Sequence, residues 1–327
     1  MYRGHRLRGC CQGDKECMRL MSAIVCPPLF VYIPTYNRPE SLRRQIVALT
    51  AQRADWPGDM RVLVSDNASP SLSDDDLMSI SSEFGVDVRR NPANIGANAN
   101  IALGFVFART DELLWILSDN DTLGTTALHS IAARGMHEGS DAVIFSTKTD
   151  APSGFVHQWT SAWDGVHEVG LISNVIYRSS VFLPYTSQAF FYHNTSFPHL
   201  CVLLSALKDR GSLSYAVLPS VEVFAPQGPH GEQAGDYSLS HNGMPQLLPL
   251  LPGSQARKFA RLWLREQGGE FFRQRDAYPG IHISSKASLR AYGGFKARVL
   301  LCALAIRHAI LGPIIPPIKR ALRSRRP

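Results

Sequence analysis

The 327-residue chain has no apolar run of the roughly 18–20 uncharged residues that a helix needs to cross a bilayer, which argues against a spanning segment. Residues 1–20 are basic but offer no clean apolar stretch before a small-residue cleavage site, so they do not read as a secretory signal. No CxxC pair occurs among the six cysteines, Cys10, Cys11, Cys17, Cys26, Cys201 and Cys302. Their spacing supports neither a zinc site nor a disulfide framework, and reduced thiols in a cytosolic protein are the simplest reading. Acid is missing from one region altogether: residues 295–327 hold eight Arg/Lys and no Asp or Glu. Residues 1–20 hold five Arg/Lys against two acids. The net charge of +7 therefore sits in the two ends, and the body from 21 to 294 is mildly acidic at −4. A nucleic-acid-binding face on the body is not supported. The basic end fits an anionic membrane leaflet instead.

What is present is globular composition, 45% hydrophobic and 19% charged, in a chain long enough for one large domain or two small ones. Residues 1–20 show no periodicity and read as a disordered leader or an over-extended start. Beyond them, five short apolar runs recur: Leu29–Ile33, Arg61–Ser65, Val86–Arg89, Leu113–Leu117 and Ala142–Ser146. Their starts lie 32, 25, 27 and 29 residues apart, the size of a strand–helix–strand unit. Four of the runs are nearly continuous Val, Ile, Leu and Phe, as expected of strands covered on both faces. Between them lie helical patterns. Pro39 can take a first helical position, with Leu42, Ile46 and Leu49 on one face. A second helix is expected to start near Asn94–Gly96 and to pack Ile101, Ala102 and Phe105. The pattern predicts an α/β domain with a mostly parallel sheet, and ligands in such sheets sit beyond the carboxyl ends of the strands.

The residues that follow the strands are accordingly the ones to read for chemistry. They are Pro34-Thr35-Tyr36-Asn37-Arg38, Asp66-Asn67-Ala68-Ser69, Asn91-Pro92-Ala93-Asn94-Ile95-Gly96-Ala97-Asn98 and Ser118-Asp119-Asn120-Asp121. Any one could be a plain turn, but four in succession converge on one crevice. Asp119 and Asp121 are the sharpest signal. Two carboxylates at the exit of a buried strand repel each other and are costly to desolvate, and a divalent cation such as Mg²⁺ or Mn²⁺ removes that cost. The competing reading is a solvated acidic turn that caps a following helix.

These segments, in this order and spacing, resemble the inverting glycosyltransferases of family 2, with the Rossmann-like nucleotide-diphospho-sugar transferase (GT-A) fold. The likeness covers roughly 30–225 and is closest to bacterial abequosyltransferase-like O-antigen sugar transferases. Gly170 to Arg178 looks like the acceptor-side segment of that family. The resemblance implies a GT-A domain over 28–245, with a nucleotide-binding half (28–150) and an acceptor half (151–245). A disordered leader (1–27) precedes it, and a helical C-terminal region with a basic amphipathic tail (246–327) follows. It also implies roles. Pro34, Thr35, Tyr36 and Arg38 would contact base and ribose, and Asp66 would accept a hydrogen bond from a pyrimidine N–H, which suits uracil. The Asn94-Ile95-Gly96 turn would let backbone approach the nucleotide, while Asp119 and Asp121 would hold the ribose edge and a divalent metal on the diphosphate. Tyr36 as a core aromatic and Asp66 as a turn cap are the competing assignments.

One part of the family pattern is missing. Relatives often carry an acidic pair as general base on the acceptor side, and the stretch Phe190 to Leu200 contains no acid. His199 is the available base, with His193, Asp209 and Glu168 weaker candidates. A packed or capping role is the competing reading for His199. The loop Gln227 to Glu232 is read as a lid, with His230 as a third metal or phosphate contact. The implied reaction moves a sugar from a nucleotide diphosphate, UDP being favoured, to a glycan or lipid-linked acceptor in bacterial surface polysaccharide assembly. Residues 255–275 read as a basic helix with Phe259, Leu262, Trp263 and Phe271 as apolar contacts. The segment from Phe295 onward reads as an interfacial helix with a polybasic anchor at the inner face of the cytoplasmic membrane. Two alternatives remain: a sugar-1-phosphate nucleotidylyltransferase, which lacks its usual Gly-rich first loop here, and a non-catalytic nucleotide-binding subunit of a polysaccharide assembly complex.

Overall fold

The structure is a computed structural model, and it describes residues 26–135, 140–146, 156–159, 169–192, 195, 197–225, 243–273 and 279–311. The leader (apart from its last two residues), Glu168, His193, the 227–232 loop with His230, and the basic run after residue 311 lie outside the described residues.

The strands are β1 (Leu29–Thr35), β2 (Met60–Asp66), β3 (Asp87–Arg90), β4 (Leu113–Ile116), β5 (Ala142–Ser146), β6 (Val156–Trp159), β7 (Val175–Arg178) and β8 (Leu213–Pro219). They form one eight-stranded sheet in the order β3-β2-β1-β4-β7-β5-β8-β6. The first four pair in parallel, with Thr35 opposite Asp66 and Asp66 opposite Arg90, so their carboxyl ends finish at one edge of the sheet. The expected runs at 29, 61, 86, 113 and 142 are all strands. The expected neighbourhood of β4 and β5 differs: β7 runs between them, antiparallel to both. The chain between β4 and β5 supplies only a short helical stretch, Ala127–Ser130 continued to Gly135, and does not hold the two strands side by side.

Seven helices of ten or more residues surround the sheet among the described residues: α1 (Pro39–Thr50), α2 (Asp74–Phe84), α3 (Ala97–Phe107), α4 (Pro198–Arg210), α5 (Gly253–Arg273), α6 (Pro279–Tyr292) and α7 (Gly294–Leu311). Their apolar faces follow from sequence. Leu42, Ile46 and Leu49 of α1 are buried at helical spacing. Helix α2 is fixed by a capping box, in which the Ser73 hydroxyl accepts from the Asp76 N–H and the Asp76 carboxylate accepts from Ser73. One side of the sheet packs against α1 and α2 through Val31, Ile33, Trp115 and Leu128. The other packs against α3, α4 and the C-terminal helices through Tyr32, Phe105, Tyr177, Leu203, Trp263 and Leu301, which form one continuous core. On α5, Phe259, Trp263 and Phe271 are buried as expected, while Leu264 rather than Leu262 completes the face.

Helix α3 approaches the sheet unusually closely. A Cβ at Gly104 would stand 2.9 Å from a Tyr32 ring carbon and 3.2 Å from Ile116, so only glycine fits there. That contact brings Asn100, one turn earlier, down onto the ends of β1 and β2.

Candidate active site

The carboxyl ends of β1, β2 and β4 open onto a crevice of about 330 Å³. Its walls include Thr35, Tyr36, Arg38, Asn67, Asn94, Gly96, Ser118 and Asp119, with Ile172 contributed from the far side. Residues from all four strand-end loops therefore meet, as their sequence pattern predicts. Tyr36 is 41% exposed on this wall and is not a core aromatic. Gly96 has φ of +85° and nothing within 4 Å of a notional Cβ, so its backbone faces open space at the start of α3.

Asp119 is almost fully buried and tightly held. Its Oδ2 accepts from the Thr35 hydroxyl at 2.7 Å and its Oδ1 from an Arg38 guanidinium nitrogen at 3.0 Å. Burial pushes its carboxyl above the usual carboxylate range, opposed by Thr35 and Arg38. Asp121 lies beside it, half-buried and just outside the crevice lining. Its carboxyl is also pushed up, first by burial and further by the neighbouring Asp119 charge, with the Ser173 hydroxyl acting the other way. No cationic side chain pairs with Asp121 among the described residues. Ser173, absent from the sequence-based candidates, ties this region together. Its hydroxyl accepts from the Ser118 N–H at 2.9 Å, and its carbonyl accepts from the Trp115 indole at 2.8 Å.

Asp66 has a different place from the one the sequence suggests. It is completely buried, caps its own turn by accepting from the Ser69 N–H at 3.1 Å, and faces the Arg90 guanidinium at 3.6 Å. It does not line the crevice; Asn67, one residue on, does. The Asn67 side chain donates to Asn94 Oδ1 at 2.8 Å and accepts from the Ile95 N–H at 3.0 Å, so it holds the 94–96 turn in place. Asn94 in turn accepts from the Gly96 N–H at 2.9 Å. Below them lies a buried polar cluster that sequence reasoning missed. Asn100 Oδ1 accepts from the Ser65 hydroxyl at 2.7 Å and from Asn91 Nδ2 at 3.1 Å, while Asn100 Nδ2 donates to the Ser65 carbonyl at 2.9 Å. The only sequence signal for it was a pair of asparagines, Asn98 and Asn100, at the start of an otherwise apolar helix.

His199 does not reach the crevice. It is fully buried in α4, with Nε2 3.1 Å from the carbonyl oxygens of both Val169 and Gly170. Carbonyls only accept, so Nε2 carries the proton, and Nδ1 has no partner among the described residues. The ring anchors the segment that leads to Ile172 and Ser173. Asp209 is exposed near the far end of the same helix, where it accepts from the Tyr185 hydroxyl at 2.6 Å. Burial drives the His199 pKa from 6.5 down to about 4. Because the native value is depressed, the unfolded chain binds the extra proton between these two pH values. The stabilisation is complete above 6.5 and drains away as pH falls towards 4. Its full size is about 3 kcal/mol. Melting curves across this window are expected to show Tm falling with acidification, and His199→Leu is expected to flatten that slope.

A doubly covered sheet with a crevice at its carboxyl edge, lined by an aromatic, an arginine and a clamped aspartate, is the arrangement in which α/β domains hold their ligands. The model for "Glycosyl transferase family 2" matches residues 30–202, more than half of the chain, and the protein belongs to that family and is a glycosyltransferase. No curated protein sequence matches the chain. Among solved structures, S. aureus TarS 1-349 is 13% identical, with a TM-score of 0.53 over 86% of this chain and 91% of that one. The same protein in complex with UDP-GlcNAc gives 0.52, again at 13% identity and over the same shares of each chain. Mannosyltransferase PcManGT from Pyrobaculum calidifontis, in complex with GDP-Man and Mn²⁺, is 13% identical over 88% of this chain and 81% of that one, with a TM-score of 0.46. At this identity the TarS likeness concerns the fold, and it agrees with the expected GT-A sheet with its C-terminal helices.

Proposed function

We propose that the protein is an inverting glycosyltransferase that moves a sugar from a nucleotide diphosphate, UDP being the favoured carrier, to a hydroxyl of a glycan or lipid-linked acceptor. The setting is bacterial surface polysaccharide assembly of the abequosyltransferase-like, O-antigen kind, at the inner face of the cytoplasmic membrane. The observation that carries this reading is the crevice itself, with Asp119 clamped at its floor and an uncompensated Asp121 next to it. UDP-GlcNAc in the TarS complex is a donor of the proposed chemical type.

Tyr36 offers an aromatic face to a base, and the open backbone at Gly96 admits close approach of a nucleotide. Arg38 places positive charge at the crevice while orienting Asp119. Thr35 fixes the other carboxylate oxygen, so Asp119 enters the reaction in one rotamer. The donor set suits a hard divalent cation: both groups are carboxylates, and Asp121 has a raised pKa with no cationic partner among the described residues. Asp121 would hold the metal together with Asp119, and a bound divalent metal neutralises charge on a departing diphosphate. His199 acts from the core as a positioning residue for the segment carrying Ile172 and Ser173.

A ligand that binds only the folded chain raises Tm by mass action. A panel of nucleotide sugars with Mn²⁺ is expected to contain one that raises Tm by several degrees, with the effect lost in excess chelator. No shift with any member would remove the donor-binding reading. A shift that survives chelation would remove the metal while keeping the donor.

A further inference from the structure

Helix α7 meets the body with only half of its circumference. Ala297 and Leu301 are buried against α5, whereas Phe295, Val299 and Ile306 are 80%, 52% and 59% exposed and Cys302 is exposed as well. At 100° per residue these four positions fall on one narrow stripe. Lys296 and Arg307 border one edge of the stripe and Arg298 the other. The stripe runs into a second cavity, of about 520 Å³, far in sequence from the crevice above. Arg257, Lys258, Arg261 and Lys296 line it together with Phe295, Gly293, Gly294 and Ser254. No acid lines it, and none of its four cations has an ion-pair partner among the described residues. Four cations around one hollow repel one another, a cost that an anion inside relieves.

We infer that this cavity binds the phosphate of an anionic lipid headgroup while Phe295, Val299 and Ile306 enter the acyl boundary, so that α7 lies flat on a membrane leaflet. The inference rests on the membrane-surface reading above and assigns it to particular residues. Charge complementarity selects the occupant: an apolar stripe edged by cations and continuous with an acid-free basic cavity matches an anionic lipid surface. Long basic side chains at the stripe's edges can lay their methylene stems in the interface and keep their charges at headgroup level. The C-terminal sequence beyond α7 adds five further Arg/Lys.

The test is co-sedimentation of the full chain with vesicles of phosphatidylcholine alone and of equimolar phosphatidylcholine and phosphatidylglycerol. Wild type is expected to bind the anionic vesicles and not the neutral ones. Each cation at an anionic surface is worth roughly a factor of five in partitioning. Arg257→Ala/Arg261→Ala/Lys296→Ala is therefore expected to lose about two orders of magnitude in apparent affinity. Lys258→Ala/Lys296→Ala, at two exposed positions, is expected to lose roughly twenty-five-fold and guards against a misfolded triple variant. Phe295→Ser/Ile306→Ser is expected to weaken binding at unchanged charge. All three variants keep the donor crevice and are expected to keep the wild-type thermal shift with nucleotide sugar. If wild type binds anionic vesicles and both cation variants bind equally well, the cavity assignment is wrong while the membrane reading stands. If wild type binds neither vesicle, the membrane reading fails first. A stripe variant that turns a dimer into a monomer without changing vesicle binding makes the stripe a self-association surface and overturns the proposal.

Discussion

Asp121→Ala is expected to lower sugar transfer by about three orders of magnitude, the size of effect seen when one preorganised electrostatic group is removed from a reacting centre. The same change is expected to leave Tm unchanged or slightly raised. Asp121 is half-buried, its carboxyl is pushed up by burial and by Asp119, and no cation among the described residues offsets it. Removing it relieves the burial of a charge and a like-charge contact, which offset the lost Ser173 hydroxyl bond. Activity and stability thus move in opposite directions, which a structural aspartate would not do. Initial rates of transfer and of donor hydrolysis, measured beside melting curves for wild type, Asp121→Ala and Asp121→Asn, check both halves. Equal hydrolysis of every nucleotide sugar by wild type and Asp121→Ala would make the chain a nucleotide-binding subunit without catalysis. A large fall in Tm together with activity would make Asp121 a structural residue.

Asn100→Ala is expected to produce the largest stability loss of any single polar substitution near the crevice, about 2–4 kcal/mol. Its side chain serves the Ser65 hydroxyl, the Ser65 carbonyl and Asn91 Nδ2, all within 3.1 Å, and its backbone carbonyl accepts from the Tyr32 hydroxyl at 2.7 Å. Truncation takes the Asn100 donor from the Ser65 carbonyl and strands one of the two Asn91 Nδ2 protons, the other keeping its bond to Asn67, and stranded buried groups are the costly half of a lost hydrogen bond. The donor KM is expected to rise as well, because Asn91 also donates to Asn67, and Asn67 holds the turn at Asn94–Gly96. Val106→Ala, at an exposed position on the same helix, is the control and is expected to change little. Urea unfolding of both variants decides the matter. An Asn100→Ala midpoint equal to that of Val106→Ala would show that water replaces the side chain without cost.

Much of this site was readable beforehand for a simple reason. Strands buried on both faces have to be continuous apolar runs, so β1, β2, β4 and β5 stand out, and polar residues after such runs have few places to go except the carboxyl edge of the sheet. Thr35, Tyr36, Arg38, Asn94, Gly96 and Asp119 all arrive at the crevice for that reason. Asp66 followed the same pattern but ended beneath the surface, because Arg90 lies opposite it across the β2–β3 register and the Ser69 N–H turns back onto it. Local pattern places a residue at an edge; it does not say whether a neighbouring strand then covers it. His199 shows the same gap. Its sequence neighbourhood is compatible with a base, yet burial under Val169 and Gly170 makes it a neutral anchor.

The amino-acid sequence by itself determined the class of fold, the strand-end loops that meet and the concentration of positive charge at the C-terminal end, since each depends on local composition or on a short period. Long-range contacts settled that β7 separates β4 from β5, that Asn100 sits under the crevice, that Asp119 pairs with Arg38 while Asp121 pairs with no cation among the described residues, and that α7 leaves half its circumference bare. Those features depend on which distant segments end up in contact, and pairing across a hundred residues leaves no periodic mark on either partner.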